Sequence, residues 1–260
     1  MGEAMLRAWL NAGLKPSNIF IADPSAHETS ALDVNKKQWF SSVLDIESKA
    51  SPSVVVLAVK PQIIPSVLAE LGTVSLKNTL IISVAAGTTI AELAKEMDSE
   101  QAIVRAMPNI PAMVGKGMTA MVKNPHVSEN QQLLVNELFA ACGTFLWLDD
   151  EDGLNAVTAV SGSGPAYIFY MLEAMAEAGV KLGLSAEVSE KLARQTIIGA
   201  AALLEDSETP AQQLRENVTS PKGTTAAALE VLMANDGLVK LMLEAMSKAR
   251  DRAQELSPKN

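Results

Sequence analysis

Residues Ser53 to Val59 read SVVVLAV, seven positions without one charge. Alternation is absent, so neither face of such a strand is meant for water. A run of β-branched residues like this belongs inside a parallel sheet whose two faces are both covered by helices. The surrounding chain is written to match. NIFIAD (Asn18 to Asp23), TLIISV (Thr79 to Val84), AIVRAM (Ala102 to Met107), GMTAMV (117–122) and TFLWL (Thr144 to Leu148) read as further strands. Between them lie helical patterns: a weak one around Ser30 to Trp39, another over 62–71, GTTIAELAKEM, and Ser128 to Ala141. In GTTIAELAKEM, Thr88 or Thr89 can cap the helix while Glu92 reaches back. Strand and helix alternating at this spacing predict an α/β sheet with helices on both sides.

After DDEDG (Asp149 to Gly153) the strand patterns stop. Helices are expected over Ala166–Leu182, Ser185–Glu205, Thr225–Ala234 and Leu238–Leu256. The expected division is therefore 1–149 for the sheet domain and 150–260 for an all-helical domain. The stretch YIFYMLEAMAEA, Tyr167 to Ala178, is apolar almost all round and must be buried on most sides. A domain of about 110 residues has little core in which to do that alone. A second copy interlocking through this helix is the economical solution; the alternative is an ordinary central helix of a bundle.

Composition narrows the functional classes. The 260 residues are 48% hydrophobic and carry a formal net charge of −9, so the chain is a poor candidate for sequence-independent nucleic-acid binding. An anionic substrate would need a local positive site. The single cysteine, Cys142, allows no intrachain disulfide and points to a reducing compartment. It reads as a small buried hydrophobe. No run is long enough to span a bilayer, and the first residues show neither signal-peptide nor myristoylation patterns. A cytoplasmic protein is expected. His27 and His126 sit in polar loop contexts with no metal-ligand spacing, so no metal site is expected, and no serine- or zinc-hydrolase motif occurs.

Three strand ends have an unusual composition: Ala58-Val59-Lys60-Pro61, Ser83-Val84-Ala85-Ala86-Gly87 and Met107-Pro108-Asn109. In an open parallel sheet, ligands bind beyond the carboxyl ends of the strands. Small residues there admit a flat ligand, and Lys60 offers a cation. Each stretch alone is also ordinary turn chemistry; together they suggest a nucleotide-sized groove. Asp23, ending its strand, suits ribose hydroxyls and disfavours a 2′-phosphate, although Asp23-Pro24-Ser25 is equally a turn and Ser25 or Lys36 can meet a phosphate. A second constellation is VTSPKGTTAAALEVL, Val218 to Leu232. Pro221 and Gly223 make a turn directly before a helix. The Thr224 and Thr225 N–H groups then lie at a helix N-terminus, an anion site suited to a carboxylate, with hydroxyls from Ser220, Thr224 and Thr225 around it. A simple N-cap explains one of those hydroxyls, not three. AVSGSGPAYIF (Ala159 to Phe169) is assigned mainly to packing where the two domains join.

VTSPKGTTAAALEVL resembles the signature of the Δ1-pyrroline-5-carboxylate reductase family. VKPQ, SVAAGTTI, RAMPNIPAMVGKGMTA and AVSGSGPAYIF are similar to that family too, in the right order, so the likeness spans nearly the whole chain. The resemblance implies a Rossmann-like doubly wound sheet followed by an all-α dimerisation domain. It implies reduction of pyrroline-5-carboxylate to L-proline with NADPH or NADH, the last step of proline synthesis, by a homodimer or a larger assembly of dimers. By resemblance, Thr225 bonds the imine nitrogen and assists its protonation. Ser220 with the Thr224 and Thr225 N–H groups, around Gly223, holds the substrate carboxylate. Ala58, Val59, Lys60 and Pro61 with Val84, Ala85 and Ala86 line the cofactor. Asp45 stands where the family often has an Asn near the adenosine, and Lys222 where it often has Gly.

The family also places a strand and G-x-G-x-x-G before its first helix. The chain starts with MGEAMLRAWLNAG, whose Met5, Leu6, Trp9 and Leu10 make one helical stripe ended by Gly13. Aligned on the pattern, Gly2 is the third glycine, the one for helix–strand packing. About ten residues of strand and turn are then expected to be missing, the first strand among them, as if translation were assigned from an internal Met. Two rival readings follow. One is a related imine or hydroxyacid reductase; a hydroxyacid enzyme of this plan wants a lysine base on the long helix, and the first lysine there is Lys181. The other is a cofactor-deficient chain that only dimerises, which titration with NADH separates from an enzyme.

Overall fold

In a computed structural model, residues 1–25, 34–47, 51–74, 76 and 78–256 are described. The chain forms two compact units: Met1–Ser163 joined by the residues from Ala249 on, and Gly164–Lys248.

The first unit opens with α1 (Gly2–Asn11), ended by Gly13 at φ 97°, followed by β1 (Ile21–Ala22), β2 (Trp39–Phe40), α2 (Leu44–Glu47) and β3 (Val54–Leu57). Then come α3 (Ile64–Leu71), β4 (Leu80–Ser83), α4 (Ile90–Ala94), β5 (Ile103–Met107), β6 (Gly117–Lys123), α5 (Glu129–Ala140), β7 (Gly143–Trp147) and α6 (Gly153–Val157). The order β3-β4-β5-β6-β7 makes one five-stranded sheet. Every residue of β4 is buried, because side chains alternate between two covered faces. Leu80 and Ile82 pack with Met5 and Ala8 of α1 and Val135 and Phe139 of α5. Ile81 packs on the other face with Ile64 and Leu68 of α3 and Leu93 of α4. The expected capping box forms at Thr89 with Glu92, and a second one stands at Ser128 with Gln131.

The sheet is not parallel throughout. β6 runs antiparallel to β5, with Arg105 opposite Val122. The link between them holds only a 3₁₀ turn, Ile110–Val114, and a parallel crossover needs a dozen residues or more. NIFIAD is shorter than expected: Asn18 belongs to a 3₁₀ turn started by Pro16, leaving Ile21–Ala22 as strand. The weak helix expected around Ser30 to Trp39 lies partly outside the described residues. Its described end is a 3₁₀ turn, Lys36–Gln38, running into β2. The Gln38 amide fastens that turn by donating to the Pro16 and Ile19 carbonyls, at 2.9 and 2.7 Å.

Among the described residues β1 and β2 pair only with each other, as a separate parallel ladder. In doubly wound order the first strand lies between such a ladder and the strand corresponding to β3. Among the described residues no strand occupies that place. α1 spans both sides of it: Met5 and Ala8 pack toward β4, Leu6 toward Ile19, and Trp9 against both clusters.

The second unit is helical: α7 (Gly164–Lys181), α8 (Ala186–Glu205), α9 (Ala211–Asn217), α10 (Thr224–Leu232) and most of α11 (Leu238–Leu256). α7 and α8 approach closely at Gly179, where a Cβ would come within 2.7 Å of the Ser189 Oγ. No side chain of α7 is buried within the single chain, and Phe169 and Tyr170 are 60% and 71% exposed. Among the described residues, no helix is long and apolar enough to cross a membrane.

Candidate active site

The sheet order brings the three unusual strand ends together. β3, β4 and β5 are parallel neighbours, so Ala58–Pro61, Val84–Gly87 and Pro108–Asn109 emerge side by side at one edge. Ala58 and Lys60 are exposed there; Val59, Pro61, Val84 and Ala86 are half-buried, and Ala85 is buried. Gly2, at the N-terminus of α1, belongs to the same rim: a Cβ on it would stand 3.0 Å from the Ala58 Cβ. Its lack of a side chain is what lets the helix start close to the strand end. Gly87 has φ 77°, and a Cβ there would meet the Leu256 carbonyl at 2.7 Å.

The other two residues expected to touch cofactor lie on neighbouring turns. Asp23 follows β1 and folds back on itself, its carboxylate accepting from the Ser25 N–H at 2.8 Å. Asp45 stands in α2 and accepts from the Ser41 hydroxyl at 3.4 Å. Both are exposed.

Behind the rim, Asn109 ties three segments. Its amide donates to the Ser161 carbonyl at 3.0 Å, and its oxygen accepts from the Met118 N–H at 2.8 Å. Ser161 lies in a π-helical turn, Thr158–Gly162, a geometry common at functional sites. Gly162 abuts Met107, whose Cε would stand 2.9 Å from an added Cβ. Sequence reading also missed a buried pair: Arg105, on β5, bonds Glu151 at 2.8 Å. The signal was a lone arginine inside an otherwise apolar strand, since a buried charge requires a partner.

The substrate constellation lies in the second unit. The turn is present, with the Gly223 N–H donating to the Ser220 carbonyl at 3.0 Å. α10 begins at Thr224 with Gly223 as its N-cap, and no side chain caps it. The Thr224 and Thr225 N–H groups therefore point out of an uncapped helix end. Thr225 is half-buried, whereas Ser220 and Thr224 are exposed. Lys222 holds φ 61°, the left-handed region that glycine occupies freely.

Two other residues are accounted for. Cys142 is fully buried; burial pushes its thiol up to about 11, against a smaller opposing effect of the Trp9 side chain. Lys181, the lysine of the rival reading, donates to Glu177 at 2.6 Å, and that contact raises its pKa.

Known proteins carry the same layout. The family model described as "Pyrroline-5-carboxylate reductase dimerisation" matches residues 151–256, and one described as "NADP oxidoreductase coenzyme F420-dependent" matches 1–87. A pyrroline-5-carboxylate reductase of Pseudomonas aeruginosa is 40% identical, over 99% of this chain and 93% of the relative. The solved pyrroline-5-carboxylate reductase of Coxiella burnetii superposes with TM-score 0.88 at 36% identity, covering 99% of this chain and 95% of that one. The pyrroline carboxylate reductase of Plasmodium falciparum, solved with NADP bound, gives 0.84 at 34% identity, covering 99% and 95%. With a strand-end rim, an uncapped threonine helix end and identities of this size over nearly its full length, the chain belongs to the pyrroline-5-carboxylate reductase family.

Proposed function

We infer that this chain reduces Δ1-pyrroline-5-carboxylate to L-proline with NADPH or NADH, the last step of proline biosynthesis. The observation that carries the reading is the uncapped N-terminus of α10 behind the Ser220–Gly223 turn. Helix N–H groups without partners attract an anion, and a carboxylate is the anion this substrate offers. The Ser220 hydroxyl and the Thr224 and Thr225 N–H groups hold that carboxylate, while Lys222 places a cation beside it in a chain of net charge −9. With the carboxylate fixed, the Thr225 hydroxyl bonds the ring nitrogen and assists its protonation. Most of the rate enhancement is orientation, because a protonated cyclic imine is already electrophilic.

The first unit fits a dinucleotide. Its rim is built from small residues at three adjacent strand ends, and Gly2 leaves room at Ala58. Gly2, Ala58–Pro61 and Val84–Ala86 would hold it, with Asp23 and Asp45 toward the ribose and adenine end. When bound, the cofactor supplies the hydride for the imine carbon. Residues 1–149 form the cofactor domain in this reading and 150–260 the substrate and dimerisation domain. The working unit is a dimer: the apolar face of α7 is exposed in one chain and needs a second copy to cover it. The single thiol, buried and unpaired with another cysteine, suits a cytoplasmic home.

The test is direct. Purified chain with pyrroline-5-carboxylate and NADPH or NADH should form proline in step with cofactor oxidation. Saturable cofactor binding without proline would overturn the reading in favour of a different imine or hydroxyacid; no cofactor binding would leave a dimerising protein only.

A further inference from the structure

The Val84–Thr89 loop begins beside Arg105 in the sheet and ends on a carboxylate that Arg105 bonds. The chain leaves β4 at Ser83, which pairs in register with Arg105 on β5. It then runs along the rim and enters α4 at Ile90. The capping box satisfies the N–H groups of Thr89, at 2.8 Å, and Glu92, at 3.2 Å. It cannot reach the N–H of Ile90, which donates instead to Oε1 of Glu151, 61 positions away, at 2.9 Å. The same oxygen accepts from the Arg105 guanidinium at 2.8 Å. Thus the loop starts opposite Arg105 and ends on the carboxylate that Arg105 holds. The Arg105 side chain is 7% exposed and that of Glu151 29%, so the pair is sheltered from the solvent screening that weakens surface pairs.

We propose that Glu151 is a positioning residue for the cofactor loop. By fixing the first N–H of α4 to β5, it sets the height of Val84, Ala85 and Ala86 above the strand ends. The proposal rests on the reading that this loop lines the cofactor. It predicts that Glu151 governs cofactor affinity and leaves the α10 substrate turn alone. The competing role is charge neutralisation: Glu151 only prevents Arg105 from being buried unpaired, a loss that destabilises strongly in itself.

Three variants separate the two roles. Glu151→Gln keeps an oxygen acceptor for Ile90 but gives up the charge. The double variant Arg105→Met/Glu151→Leu removes both charges with similar volume, an exchange that buried pairs often tolerate. Ala86→Leu fills the loop itself. Each is measured for thermal midpoint, NADPH dissociation constant by fluorescence, and KM for pyrroline-5-carboxylate at saturating NADPH. Positioning predicts that the double variant recovers the wild-type midpoint yet binds NADPH about 10-fold more weakly. Glu151→Gln then stays within about 3-fold, and KM for pyrroline-5-carboxylate is unchanged in both. A double variant that binds NADPH as tightly as wild type, with Glu151→Gln the weaker of the two, overturns the proposal. If Ala86→Leu binds NADPH like wild type, it is the loop assignment that fails.

Discussion

At Lys222 the chain holds a lysine in a left-handed conformation, at φ 61°. A Cβ crowds the following carbonyl there, at a cost of about 1 kcal/mol that glycine avoids. Lys222→Gly is expected to raise the unfolding free energy by about 0.5–1 kcal/mol. It should also raise KM for pyrroline-5-carboxylate by a few-fold, because the cation beside the carboxylate is gone. Denaturant titration and steady-state kinetics check the two halves. Cys142 makes a pH prediction. Its thiol is raised from 9.0 to about 11 by burial. The folded chain thus keeps a proton that the unfolded chain gives up. The associated stability is complete below pH 9 and is lost as pH rises toward 11. Urea midpoints should fall across that window in the native protein and stay level in Cys142→Ala. Native Cys142 should also ignore a thiol reagent at pH 8 until the chain unfolds.

Elements were legible where local chemistry decides them. The α4 capping box follows from residues within one turn, and the span of α11, Leu238–Leu256, is the one expected from the sequence. The three unusual strand ends were legible because composition marks them, and the order β3-β4-β5 then places them together. Other features depend on partners far along the chain. β2 exists because its two residues pair with Ile21 and Ala22, and nothing in Trp39-Phe40 alone says so. The reversed direction of β6 depends on the short link after Met107, and the Glu151 bond to Ile90 crosses 61 positions inside an acidic run that reads as surface. Gly143 shows a similar dependence. It holds φ 136° opposite Gly117, and its Cβ would strike Gly117 backbone atoms. Gly143→Ala should cost about 2–4 kcal/mol, read from chemical denaturation, through strain at positive φ and separation of β6 from β7. A loss under 0.5 kcal/mol would mean that the pairing of β6 with β7 is looser than this register.

The whole molecule asks for a second copy. α7 carries Ile168, Phe169, Tyr170, Met171 and Met175 at 36–71% exposure, too large an apolar face for a lone chain to leave wet. Sedimentation should give a dimer or a multiple of it, and Tyr170→Asp should shift the chain to monomer with reductase activity falling in parallel. A Tyr170→Asp chain that sediments like wild type would place the contact elsewhere. The proposed chemistry is most exposed to test at Thr225. The decisive measurement is steady-state reduction of pyrroline-5-carboxylate by Thr225→Ala, beside its NADPH dissociation constant. For Thr225→Ala, kcat/KM is expected to fall about 100-fold, the scale of losing a positioned proton donor, while the dissociation constant stays within about 2-fold. Wild-type turnover in Thr225→Ala would contradict the proposed chemistry.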